Sequence, residues 1–135
     1  FPKMTGPKLS EHLIMAASTT EDTSDKTKSL GERVRKNFAA LTCFPCAAQA
    51  YDSVMLLSAA MKQANTTDGE KVAAALENIS GVQGVIKTYD KPFSKTMHEG
   101  LHVGDFYLAR WKNGTEVQRF QDDVYKSITP ADLKQ

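Results

Sequence analysis

Apolar positions return every fourth residue between 25 and 38, at Leu30, Val34 and Phe38, while Lys28, Glu32, Arg33, Arg35 and Lys36 fill the other faces. That spacing predicts an amphipathic surface helix. Gly31 within it costs about 1 kcal/mol relative to Ala. The segment 46–64 is different in kind: Ala47, Ala48, Ala50, Val54, Met55, Leu56, Leu57, Ala59, Ala60 and Met61 leave almost no polar face before Lys62. A helix apolar nearly all round is expected to be buried on more than one side, as between the layers of an α/β fold. A third helix is expected over "KVAAALENI", with Val72, Leu76 and Ile79 as its stripe and Ser80-Gly81 closing it. Thr67 and Glu70 stand ahead of it at capping-box spacing.

Elsewhere the period shortens. "HLIMAAST" (12–19) is a short apolar run and reads as a buried strand, followed by a polar stretch, 18–28, that reads as a loop entering a helix. "GVIKTYD" (84–90) alternates as a strand does. "DFYLARWKNGTEVQRF" (105–120) reads as two strands joined at Asn113-Gly114, a strong hairpin signal. The polar tail, 122–135, is expected at the surface. Strand, three helices, strand and hairpin make an α/β chain, with too few strands to cover a helix as apolar as 46–64. The pattern therefore predicts that whatever packs on that helix lies outside this sequence. A start at Phe1-Pro2-Lys3, without Met or an export segment, leads to the same expectation of a processed chain or a piece of a longer one.

Length and charge narrow the picture further. A chain of 135 residues suffices for one modest domain with a real core. A net charge of +1 gives no electrostatic reason to expect nucleic acid or an anionic membrane as partner. No apolar stretch reaches the eighteen or so residues that a membrane span needs.

The chemistry to be weighed is concentrated at Cys43-Phe44-Pro45-Cys46. A helix N-terminus lowers a thiol pKa, so a redox pair is one reading. Dithiol oxidoreductases, however, reach such a pair from an apolar strand within a βαβ unit, whereas here it follows a helix closely. Zinc would require two further ligands, and His12, His98 and His102 lack companion spacing. A thiol packed at a helix start is the expectation, with no metal and no cofactor. His98-Glu99 and His102 are one residue too far apart for the helical zinc motif and read as loop polarity. Tyr51 is expected to satisfy its hydroxyl at the domain edge, and Asp52 to favour the first helical turn. There is no Gly-rich phosphate loop, nucleophile elbow or paired catalytic carboxylate, so no catalytic residue is assigned.

The stretch "AAQAYDSVMLLSAAMKQANTTDGEKVAAALENISGVQGVIKTYDKPFS", followed by "HEGLHVGDFYLARWKNG", resembles the C-terminal part of a known family. That family is the solute-binding proteins of ABC importers of the leucine/isoleucine/valine-binding type. The likeness covers essentially the whole chain and is most specific at Tyr51-Asp52 and from Gly84 through Asp90. It implies part of a Rossmann-like lobe of a type I periplasmic-binding, Venus-flytrap fold, with residues 1–135 as the C-terminal part of a two-lobe receptor. Segments 12–20 and 105–112 would lie near two of the three hinge crossings. The resemblance further implies a non-enzymatic, exported protein, periplasmic or extracellular, that binds an amino acid or related small organic acid and delivers it to an ABC permease. Most ligand contacts would lie upstream; Phe44, Pro45, Cys46 and Ala47 would form the remaining pocket wall and helix entrance. Met97 stands where relatives carry an acidic residue before the His-Glu pair, a departure that weakens any shared role for that loop. The helix at 46–64 would be covered by an upstream fragment or by another copy in a homo-oligomer. Two rival readings are a thiol-disulfide oxidoreductase using Cys43 and Cys46, and the ligand-sensing ectodomain of a receptor.

Overall fold

The computed structural model describes residues 2–38, 43–114 and 116–120, with Asp123 and Ser127 as single positions. In chain order these form α1 (Pro2–Thr5), α2 (Pro7–Ser10), β1 (Ile14–Ala17), α3 (Asp25–Asn37), α4 (Phe44–Ala64), α5 (Gly69–Leu76), β2 (Val82–Gln83), β3 (Thr88–Tyr89), β4 (Tyr107–Lys112) and β5 (Glu116–Arg119). The chain is mixed α/β, as expected. Most of the polar tail lies outside the described residues.

The sheet is antiparallel with β4 at its centre, in the order β1-β4-β5. Ile14 faces Arg110 and Ala17 faces Tyr107 on one side of β4; Ala109 faces Arg119 on the other. The hairpin turns where it was expected: Asn113 and Gly114 both have positive φ, 53° and 67°, a conformation these two residue types adopt at little cost. A Cβ at Gly114 would also run into the Pro7 backbone, so the turn is held against α2. The backbone N–H of Asn113 donates to Glu11 at 2.9 Å, a second tie to the same segment.

The helices assemble around α4. Its buried residues, Phe44, Ala48, Asp52, Leu56 and Ala60, follow each other at four-residue spacing and form one stripe. The first half of the stripe packs Phe44 and Ala48 on Leu30 of α3. The second half packs Leu56 and Ala60 on Val72 and Ala75 of α5, with Ile79 and Tyr89 closing the cluster. Full burial of side chains of the Leu or Ile class contributes about 1.5–3 kcal/mol each, so these two clusters dominate the helical layer's stability.

Several expectations are corrected. Among the described residues α4 is buried on one stripe and not all round: Val54 is 66% exposed and Leu57 41%. The alternation over 84–90 does not make one strand. It makes a short hairpin in which β2 and β3 pair as Val82–Tyr89 and Gln83–Thr88. The Gly84 N–H donates to the Lys87 carbonyl at 2.9 Å, and Val85 and Ile86 leave the ladder as their backbone N–H groups turn to Asp52, as described below. α5 is capped by Asp68 and not Thr67: the Asp68 carboxylate accepts the Lys71 N–H at 3.1 Å. A carboxylate one residue closer to the first helical donors displaces the hydroxyl from that role. The strand at 12–19 shortens to Ile14–Ala17, since its partner β4 begins at Tyr107, opposite Ala17.

Candidate functional site

The first turn of α4 is organised by its cysteines. Cys43 is the N-cap, extended at φ −137°, and its Sγ accepts the Cys46 N–H at 3.3 Å. Pro45 occupies the first turn, where a missing N–H costs nothing. The helical turn brings the two Cα atoms to 5.3 Å, and the sulfurs are joined in a disulfide. The expectation of a packed free thiol is thereby corrected: neither Cys43 nor Cys46 carries a thiol.

The four residues expected to form a pocket wall are divided between environments. Phe44 is 9% exposed and lies between α3 and α4, against Leu30 and Ala48, with Val34, Tyr51, Val85 and Ile86 around it. Cys46 is exposed, and Pro45 and Ala47 are half-buried at the rim of the same turn. An open groove of about 380 Å³ lies between α3 and residues 83–85, with Lys26, Arg33, Ser29 and Tyr51 among its lining side chains. Its apolar lining, Leu30, Tyr51 and Val85, is shared with the cluster that holds Phe44.

The end of β1 meets this helix start. Ser18, Thr19 and Thr20 are almost completely buried, at 4%, 1% and 2% exposure. Gln49, on the second turn of α4, donates from Nε2 to Ser18 Oγ at 3.0 Å. Thr20 Oγ1 donates to Asp22 and lies 3.0 Å from the Tyr107 hydroxyl of β4. Buried hydroxyls are retained where hydrogen bonds offset their desolvation. Ser18 and Thr19 fall at the end of the run expected to be a buried strand and Thr20 in the polar stretch after it; the burial of Thr20 was not expected, and three small hydroxyl side chains directly after an apolar strand were the available signal.

Of the pair Tyr51 and Asp52, only Asp52 departs from the expectation. Tyr51 is half-buried beside the groove. Asp52 is 2% exposed and does not serve the first turn. Its carboxylate accepts the Val85 N–H at 2.6 Å, the Ile86 N–H at 3.0 Å and the Tyr89 hydroxyl at 2.9 Å. Burial, then the hydrogen bond and charge of Asp52, push the Tyr89 phenol well above its ordinary range. A side chain at Gly84 would collide with this carboxylate, so the turn over Asp52 requires glycine there. Beside it, Lys87 pairs with Asp105 and lies 5.2 Å from the Tyr89 ring centre. Burial pushes the Asp105 carboxyl up, but the Lys87 hydrogen bond, the His102 N–H and the neighbouring positive charges together hold it below its usual range.

Among the described residues no three His, Cys, Asp or Glu side chains converge as metal ligands would, and no helix is long and apolar enough to cross a membrane. What the arrangement offers is a scaffold: a strand end with buried hydroxyls, a helix N-terminus beside it, and a carboxylate spent on holding backbone. A family model described as a periplasmic binding protein matches residues 2–116. No curated protein and no solved structure matches the chain.

Proposed function

This chain belongs to the periplasmic binding protein family, and we propose that it is the C-terminal part of an exported two-lobe receptor that binds an amino acid or related small carboxylate for an ABC importer. A solute-binding role follows from the family. The ligand class, the importer and the location outside the cytoplasm are proposed, supported by the leucine/isoleucine/valine-binding likeness of the α4 and β3 segments. In this reading residues 12–20 and 105–112 lie near two hinge crossings, a placement consistent with the direct pairing of β1 and β4.

The ligand-facing surface is assigned to the start of α4. Pro45, Cys46 and Ala47 form the rim, Phe44 supports them from behind, and Ser18 with Gln49 fixes the helix against the strand end. Apolar walls with a few fixed polar groups are what small-molecule sites require, and closure of the lobes would complete the contacts. The exposed apolar face of α4 around Val54 and Leu57 is covered by the remainder of the receptor or by a second copy. The observation that carries the reading is the family match across residues 2–116, which spans both the β1 end and the α4 start.

Mass spectrometry of the small molecule that the receptor carries through native purification tests it. An amino acid or similar carboxylate is expected. A receptor that carries nothing, and that gives no heat with a panel of amino acids and small organic acids, would overturn the reading.

A further inference from the structure

We propose that the Cys43–Cys46 pair is a reversible thiol-disulfide exchange site at the start of α4, open to dithiol reductants and to small disulfide oxidants. The inference rests on the placement of the two sulfurs and does not depend on which solute the protein binds.

Four observations carry it. First, Cys46 is an exposed residue whereas Cys43 is half-buried, so an incoming thiolate is directed to the Cys46 end of the bond. Second, Cys43 caps a helix of 21 residues, and its Sγ already accepts the Cys46 N–H at 3.3 Å. Negative charge arriving on that sulfur meets a fixed donor and the positive end of a long helix. Third, both oxidation states fit one backbone. The Cα separation of 5.3 Å is that of an ordinary helical turn. The bond that starts the helix, from the Ala47 N–H to the Cys43 carbonyl at 3.2 Å, involves neither sulfur. Fourth, the two cysteines are separated by only three positions. The entropy that a disulfide removes from the unfolded chain grows with loop length, so a ring this short is a weak stabilising clip.

The chemistry balances as a two-electron exchange. A thiolate of the reductant attacks Cys46 Sγ; the Cys43–Cys46 bond breaks, and its electron pair leaves on Cys43 Sγ as a thiolate. The Cys46 N–H and the helix N-terminus stabilise that leaving group, and a leaving thiol of lower pKa leaves faster. The reductant's second thiolate then attacks its own sulfur in the mixed disulfide, releasing Cys46 and forming the oxidised, cyclic reductant. Two electrons and two protons pass to the protein in all, and a disulfide oxidant runs the sequence backwards.

The test uses the wild-type chain. It is reduced with millimolar dithiothreitol under native conditions, alkylated with iodoacetamide from pH 5 to 10, and the labelled site is read by peptide mass spectrometry. Helix content is followed by circular dichroism. The expected result is complete reduction without loss of helix. Cys43 alkylation should reach half its maximal rate at least one pH unit below the ~8.5 of an ordinary thiol, and oxidised glutathione should restore the single disulfide. In Cys43→Ser, glutathione should remain attached to Cys46, because the resolving thiol is gone. A pair that stays oxidised until the protein is denatured, or a Cys43 that titrates at or above the ordinary value, would overturn the proposal.

Discussion

The Tyr89 hydroxyl donates to the Asp52 carboxylate at 2.9 Å across 37 residues of sequence, and this bond joins β3 to the middle of α4. The same carboxylate holds the backbone N–H groups of Val85 and Ile86. One acidic side chain therefore does what a strand partner would otherwise do for the turn between β2 and β3. Replacing it by Ala strands three donors, the Tyr89 hydroxyl buried and the two backbone N–H groups partly so. Asp52→Ala is expected to lose roughly 3 kcal/mol or more of unfolding free energy, against about 1 kcal/mol for Tyr89→Phe, which removes one donor of the three. Urea unfolding followed through Trp111, the single tryptophan, measures both. Equal losses in the two variants would contradict the ranking.

Gly84 is the geometric counterpart of that carboxylate. A methyl group at this position runs into Asp52, and overpacking of this kind costs about 1–3 kcal/mol. Gly84→Ala is expected to destabilise the chain within that range, and the double variant Gly84→Ala with Asp52→Ala to lose less than the two single losses added together. Strict additivity in the same urea measurement would show that the two positions do not collide.

Alkaline pH acts on the same pair. The Tyr89 phenol is raised in the folded chain, so the fold favours its neutral form. The corresponding stability is fully present below the ordinary phenol pKa of about 10 and is lost as pH rises above it. Thermal unfolding between pH 8 and 11 should show a decline above pH 10 that is smaller in Tyr89→Phe.

The Lys87–Asp105 pair gives the opposite sign at the acid end. The Asp105 carboxyl is held low, so its contribution is present above the ordinary carboxylate pKa of about 4 and fades as pH falls through the lower folded value. Asp105→Asn should flatten the acid limb of the stability profile below pH 4. An unchanged limb would show that the pair contributes nothing measurable.

Some of this was legible in the sequence because it depends on neighbours along the chain. The four-residue recurrence of Leu30 and Val34 gives α3, and Asn113-Gly114 gives the hairpin between β4 and β5, since both arise from local backbone preference. The content of Asp52 was not legible. Its three partners are backbone or side-chain donors more than thirty residues away, and a carboxylate near a helix start has a simpler local explanation. The disulfide was hidden by the same economy, because two cysteines three apart suit a thiol pair and a closed ring equally well. In α4 the composition overstated the burial. Ala and Leu occur on every face, yet contacts among the described residues select the stripe from Phe44 to Ala60 and leave Val54 and Leu57 exposed.

That exposed face bears on assembly. In the proposed reading it is covered by the rest of the receptor or by another copy, so the 135-residue chain alone is expected to self-associate in sedimentation. Leu57→Glu should shift it toward monomer without loss of helix. A compact, stable monomer in the wild-type chain would remove the need for a covering partner.

The central claim is that this chain supplies one part of a solute-binding cleft, with its rim at the start of α4. Calorimetry of the intact receptor with its co-purified solute tests this most directly, comparing wild type with Ala47→Trp and with Val54→Ser on the exposed face. Ala47→Trp is expected to weaken binding at least about tenfold, a change of roughly 1.4 kcal/mol, Val54→Ser to leave it unchanged, and the 135-residue chain alone to bind more weakly than micromolar. Full affinity in Ala47→Trp, or micromolar binding by the chain alone, would contradict it.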